Sequence, residues 1–296
     1  MDVFKRNINN LFLIFILSHL IIWTLIPTLT NNNLPLDTIE ALAWGSNLEW
    51  GFNKHPPGSA FFSEVFFQIF GSQDWAYYLL SQIFVLISFY YVFKFSNEIF
   101  ENTKLSLISV LLLESIYFYN FTTPEFNVNI SQLPFWSLVV YYSWKIYESK
   151  KIRFLDCFLI GLFAAIGFLS KYLFIYLLLS ISILFIYLIS FKKIKKFDFK
   201  YLIIIEIFVV LLVPHIVWLF HNDFITINYG FKRAGLTEAV FFDHLKYPAI
   251  FLFKQIGLLI PFLFLIWLLV KKIKINVNLN DKKLLFLFFI NILPIF

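Results

Sequence analysis

The sequence predicts an all-α fold, a polytopic transmembrane helical bundle with interfacial helices in its first outer loop. Three observations predict it. First, 60% of the 296 residues are hydrophobic and 14% are charged, whereas soluble domains are roughly half apolar and a quarter charged. Second, apolar runs recur at the length of about 20 residues that a bilayer core demands. Third, the basic residues punctuate those runs, as orientation signals do, so the net charge of +6 points away from nucleic acid. The single cysteine, Cys157, excludes a disulfide within one chain.

The elements follow in order. Lys5 and Arg6 precede an apolar run over 11–29 with no small-x-small cleavage site, so this is a retained first span and not a signal peptide. Further spans are expected at 76–94, 104–121, 131–148, 201–220 and 248–270. The region 154–191 is longer and interrupted at Lys171, which predicts two short helices, 154–169 and 172–191, meeting at a bend. The last stretch, 284–296, makes about 20 Å of helix against a core of about 30 Å. It is expected to be an incomplete helix of a truncated chain. Residues 1–296 thus form one transmembrane domain, with residues 30–75 as its first outer loop.

With the N-terminus in the cytoplasm, 18 of the 24 Lys and Arg residues fall in inner segments, the bias expected of inner loops. The arrangement depends on the bend at Lys171. The outer pieces are then 30–75, 121–130, 170–172 and 221–247. In the first, "DTIEALAWGSNLEW" (37–50) has helical spacing and reads as a helix lying on the membrane surface. "HPPG" ends it, and "SAFFSEVFFQIF" resumes as a second such helix, closed by Gly71. No internal repeat, glycine-rich phosphate loop or His/Cys metal cluster is present in the sequence.

The unusual polar residues gather in these outer pieces. Asp37 and Glu40 are three apart and share a helical face. They suit a divalent cation or a general base; a solvated helix start also accounts for them. Lys54 and His55 precede Pro56 and Pro57, which stiffen the backbone. A rigid cation pair suits a phosphate, and a headgroup anchor is the plainer alternative. Lys171 in "GFLSKYLF" costs roughly 2.5–3.5 kcal/mol at membrane depth unless it finds a partner or water. It also opposes the inside bias, which favours a functional role over snorkelling. "TPEFNVNISQLP" (123–134) supplies Glu125, Asn127, Asn129 and Gln132 as helix-start charges, caps or ligands. Its "NIS" fits a glycosylation sequon only weakly. "PHIVWLFHNDF" (214–224) puts His215 and Trp218 near the outer end of a span, where an aromatic belt also belongs.

Taken in order, "DTIEALAWGSNLEWGFNKHPP", "FGSQDWAYYLLSQ", "EFNVNISQLPFW" and "GFLSKY", with "PHIVWLF", resemble the GT-C superfamily of polytopic glycosyltransferases. The closer resemblance is to the branch of protein O-mannosyltransferases and lipid A aminoarabinose transferases, glycosyltransferase family 39 and relatives. It covers roughly residues 34–220. It implies a GT-C bundle in a bacterial inner membrane, with its site on the periplasmic side. It implies a hexosyl- or pentosyltransferase, inverting, that takes a sugar from a polyprenyl-phosphate donor. The acceptor would be a lipid, glycan or protein hydroxyl. Asp37 matches the catalytic carboxylate, although the usual Asp-Glu pair is here Asp37-Thr38, with Glu40 displaced. Lys54, His55 and Lys171 would meet the donor phosphate, with His215 beside them. Asn127 and Asn129 stand where many relatives carry a second aspartate. A divalent cation is possible in such sites, and membrane lipids are partners. A transporter or flippase of a lipid-linked saccharide, or an inactive fragment, are the competing expectations. Transporters place charges at the midplane on broken helices, whereas the charges here are expected at one outer surface.

Overall fold

In the computed structural model the described residues are 2–192, 195–235, 241–269 and 281–295. Among them are twelve α-helices and no strand. Five stretches are long and apolar enough to cross a membrane: Asn7–Thr30, Asp74–Phe100, Tyr172–Phe191, Tyr201–His221 and Asp243–Leu268. The protein is an integral membrane protein. Lys193, Lys271, Lys272 and Lys274 of the expected inner loops, and residue 270 of the expected span 248–270, lie outside the described residues.

The bundle is built around α6 (Val128–Glu148), which packs between α4 (Asp74–Phe100) and α7 (Phe154–Ser170). Helix α6 buries Ser131, Ser137 and Ser143 beside Trp144. Protein covers it, so it carries small polar residues where a lipid-facing helix would need apolar ones. Helix α1 (Asp2–Thr30) packs on α4, and α9 (Tyr201–His221) packs on α7. At the far end Trp144 meets Phe286 edge-on at 5.1 Å, which ties in α12 (Lys282–Asn291).

The expected bend at Lys171 is present. Helix α7 stops at Ser170, Tyr172–Phe174 form one 3-10 turn, and α8 (Ile175–Ile186) runs back. Ser170 bonds Ser131 at the start of α6, at 2.9 Å. After α8, Lys195 reaches the carbonyls of Ile146 and Ser149 at the other end of α6. The end that holds the start of α6 is called the upper end below, and the opposite one the lower end.

Two expectations need correction. The span 104–121 is not one helix: α5 (Thr103–Leu111) gives way to 3-10 turns at Leu112–Ser115 and Tyr117–Tyr119. The cause is polar. Glu114 turns inward to His19 Nδ1, and Asn120 Nδ2 donates to the Glu114 carbonyl at 2.5 Å. His19 lies near the middle of its span and is buried. Its Nε2 bonds Gln82 Oε1 at 3.1 Å, and Gln82 Nε2 donates to Thr123 Oγ1 at 3.1 Å. Ionisable groups therefore reach membrane depth on a broken helix, and are not confined to one outer surface.

The second correction concerns the first loop. Helix α2 spans only Leu36–Gly45, not 37–50. A Cβ at Gly45 would lie 2.7 Å from the Ala60 carbonyl, so the chain crosses the next helix, α3 (Gly58–Phe70), there and turns at Leu48, whose φ is +51°. The double proline does not end α2. Pro57 instead caps α3, which closes at Gly71 with φ +65°, as expected. Helices of about 15 and 20 Å cannot cross a core of about 30 Å. They lie on the bundle, with Thr38, Ala41, Ala60 and Ser63 facing in and Leu36, Val65 and Ile69 facing out.

Candidate active site

The upper end brings the predicted residues together from four segments. Asp37 sits exposed in the first turn of α2, and its backbone N–H donates to Glu125 Oε1 at 3.2 Å. Thr38 Oγ1 donates to the Phe126 carbonyl at 3.2 Å. The start of α2 is thereby fixed to the segment that leads into α6. Asn127 is the N-cap of α6, accepting from the N–H groups of Asn129 and Ile130, and its Nδ2 donates to Glu125 Oε2 at 3.4 Å. Capping holds Asn127 in place, and Asn127 in turn orients Glu125. The Glu125 carboxylate is therefore held against the backbone of Asp37 at the upper end. The sequence leaves Glu125 between a helix-start charge and a ligand; its position two residues before the capping Asn127 is the signal that ties it to α2.

Glu40 is engaged elsewhere. Lys54 Nζ donates to Glu40 Oε1 at 2.5 Å, and that hydrogen bond raises the Lys54 pKa above its ordinary value. Lys171 differs from Lys54. Its Nζ donates to Asn129 Oδ1, an uncharged partner, and among the described residues it forms no ion pair. Burial lowers its pKa, and the charge of Arg233 adds to the shift. Burial also lowers the His55 pKa, with Lys171 next in effect, while Glu40 and Asp37 oppose more weakly. Lys171, His55 and Arg233 therefore sense one another's charge. Arg233 ends α10 (Ile225–Arg233) and donates to Tyr229 of the same helix at 3.4 Å. No motif in the sequence singles out Arg233; only the fold brings it near Lys171 and His55.

The loop that carries Lys54 and His55 is clamped from three sides. Trp44 stacks on Phe52 at 5.2 Å and meets His55 edge-on at 6.0 Å. Thr226 Oγ1 of α10 donates to the Phe52 carbonyl at 2.5 Å. His215 of α9 donates from Nδ1 to the Trp50 carbonyl at 2.5 Å, so its Nε2 is the acceptor for the Tyr172 hydroxyl at 2.7 Å. Both ring nitrogens are used and the ring is buried. His215 thus joins the loop to the residue after Lys171 and presents no free nitrogen to a ligand. Trp218 Nε1 donates to Glu49 at 3.0 Å, and its ring fills the space beside Gly51, where a Cβ would lie 2.4 Å from it. Gly58 is as constrained: a Cβ would meet the Leu169 carbonyl and Ser170 at 2.8 Å. The close approach of α3 to the end of α7 brings the loop to Lys171.

Among the described residues no three of His, Cys, Asp and Glu converge as metal ligands. The carboxylates present do not by themselves make a divalent-cation site. A groove of about 410 Å³ leads from Glu125 and Pro35 down α1 past Pro27 and Trp23. It opens the site sideways toward the region a bilayer would occupy.

The model of the dolichyl-phosphate-mannose-protein mannosyltransferase family matches residues 54–218, more than half of the chain. The match includes Lys54, His55, Glu125, Asn127, Asn129, Lys171 and His215; Asp37, Glu40 and Arg233 lie outside it. No curated protein and no solved structure matches. The chain belongs to the dolichyl-phosphate-mannose-protein mannosyltransferase family, a family of membrane glycosyltransferases.

Proposed function

We propose that the protein moves a sugar from a polyprenyl-phosphate donor to an acceptor hydroxyl at the outer membrane face, with inversion at the anomeric carbon. One observation carries the proposal: a half-buried cation without a carboxylate partner, Lys171, stands in one polar cluster with His55, Arg233 and the carboxylates Asp37 and Glu125. A phosphate ester needs the first set and an attacking hydroxyl the second.

In this reading Asp37 takes the proton of the acceptor hydroxyl. The oxygen attacks the anomeric carbon as the bond to the donor phosphate breaks. The lipid phosphate leaves with the bonding electrons and is met by Lys171, His55 and Arg233. Asn129 orients Lys171, while Glu125, steadied by Asn127, holds Asp37 through its N–H. Glu40 holds Lys54, and His215 holds the loop, which makes both positioning residues. No step is routed through a metal ion. Transfer and donor binding are to be measured for Asp37→Asn and Glu125→Gln in the same membranes. Asp37→Asn is expected to lose at least about 100-fold in transfer and keep donor binding, the signature of a lost general base. Near-normal transfer by Asp37→Asn beside an inactive Glu125→Gln reassigns the base to Glu125.

A second reading is favoured by the broken helix at Glu114. A polar pair at membrane depth on interrupted helix is also a transporter feature. Movement of a lipid-linked saccharide across vesicles, without transfer to an acceptor, supports that reading against the first.

A further inference from the structure

The lower end, opposite the candidate active site, carries a second cavity of about 670 Å³. Three stretches border it among the described residues: 147–152 at the turn from α6 to α7, 188–192 with 195–198 between α8 and α9, and the start of α12. Lys150, Lys192, Lys195, Lys196 and Lys282 line it, against two acids, Glu148 and Asp198. Asp198 is already paired with Lys200 at 3.5 Å, and among the described residues none of the five lysines forms an ion pair. Five lysines against two acids leave an excess of positive charge there, at a cost in mutual repulsion that the acids only partly offset. Lys195 is fixed in the wall: its Nζ donates to the carbonyls of Ile146 and Ser149. Burial lowers its pKa, and the nearby charge of Lys282 adds to that.

A positive-inside bias alone needs lysines near the bilayer; it does not need them around one concavity. The cavity also has an apolar floor, made by Ile152, Leu188 and Leu285. A free phosphate has no use for such a floor, whereas a phospholipid places its glycerol and first methylenes there. The position fits as well, since Leu188 lies near the end of one candidate span and Asp198 just before the next. That is headgroup level.

We propose that this cavity is a binding site for a phosphate-bearing anionic headgroup, that of a phospholipid. It is independent of the reading of the upper end, because it shares no residue with it. The test uses the full chain in neutral detergent. Phosphatidylglycerol in mixed micelles is titrated against a phosphatidylcholine-only reference, and binding is followed by the thermal unfolding midpoint. Lys196→Gln/Lys282→Gln removes two exposed cavity lysines; Lys94→Gln/Lys104→Gln removes two lysines that do not line it. Folding of both is verified by the midpoint in phosphatidylcholine.

At about 5-fold per lysine near a charged lipid surface, the cavity variant is expected to bind phosphatidylglycerol roughly 25-fold more weakly. The control variant is expected to change less than about 2-fold. Equal losses in the two variants, or none in either, overturn the site and leave only general surface charge. Inorganic phosphate is the third arm. If it binds as tightly as the lipid and displaces it, the lipid source is overturned and a soluble phosphate takes its place; displacement only at far higher concentration supports the lipid.

Discussion

Two hydrogen-bonded carboxylates show how depth changes the meaning of the same contact. Glu114 meets His19 and Glu40 meets Lys54. The two carboxylates are about equally exposed, at 28% and 25%, but their partners are not: His19 is 1% exposed and Lys54 36%. The first contact joins residues 95 apart in sequence and the second residues 14 apart. The deep pair holds the fold; the shallow one holds a loop. The deep pair is also fully partnered. Gln82 joins His19 Nε2 through its side-chain oxygen and Thr123 through its amide. A polar group with its partners in place is what membrane depth tolerates. The same network runs on to Thr123, two residues before Glu125, so the depth of the bundle and the candidate site share one support.

Breaking the deep pair is the largest expected effect. His19→Leu strands the Glu114 carboxylate and the Gln82 carbonyl and is expected to cost about 3 kcal/mol of stability. The double variant His19→Leu/Glu114→Leu removes both partners and is expected to recover much of that loss. Unfolding in mixed detergent measures both. A double variant no more stable than the single one shows that the two side chains are not coupled.

The next effect sharpens the contrast at the shallow end. Lys54 has a carboxylate and Lys171 has only an amide, so in the proposed reading it is Lys171 that meets the phosphate. Lys171→Ala is expected to weaken donor binding about 10- to 150-fold, the worth of roughly 1.5–3 kcal/mol for a charge-assisted bond. Arg at this position restores binding only in part, because its planar head differs from a compact ammonium. Donor titration of the three proteins decides; unchanged binding in a folded Lys171→Ala reduces the lysine to a membrane anchor.

These contrasts also show what the sequence could reveal. The bend at Lys171, the cap at Asn127 and the stop at Gly71 depend on one residue and its neighbours, and each was legible. The break at Leu112 was not. Residues 104–121 are apolar enough to pass as a span, and what unwinds them is a contact between Glu114 and a histidine in another helix. The site divides the same way. Asp37 and Glu40 were grouped because they are close in sequence, yet Asp37 ends beside Glu125 and Glu40 beside Lys54. The resemblance offers His215 as a ligand, whereas the sequence does not show the two long-range hydrogen bonds that occupy both its ring nitrogens.

A smaller effect follows from His55. Burial and Lys171 hold its pKa below the ordinary 6.5, so the free ring is neutral at pH 7. An arriving phosphate raises that pKa, so binding takes up a proton. Donor affinity is then expected to rise by a few-fold as pH falls from 7.5 toward about 6, and to level off once the free ring is protonated. The folded protein alone should show the opposite trend. With its pKa lower than in the unfolded chain, His55 costs stability as pH falls below 6.5. His55→Gln should flatten the affinity profile. A profile that keeps its slope in that variant assigns the proton to another group.

The smallest effect is expected at Glu40. Both members of its pair are partly exposed, and such pairs contribute little to stability because water screens them and the side chains lose freedom. Glu40→Gln should therefore move the unfolding midpoint by less than about 2 °C. It keeps the shape and an acceptor oxygen for Lys54, so the loop stays near its place, while Lys54 loses the carboxylate charge that helps raise its pKa. Transfer should fall by less than about 10-fold, well short of the loss at Asp37. The two variants have to be assayed together, since the contrast is the prediction. An inactive Glu40→Gln with donor binding intact would move the base from Asp37 to Glu40, and Lys54 would then be the group that positions that base.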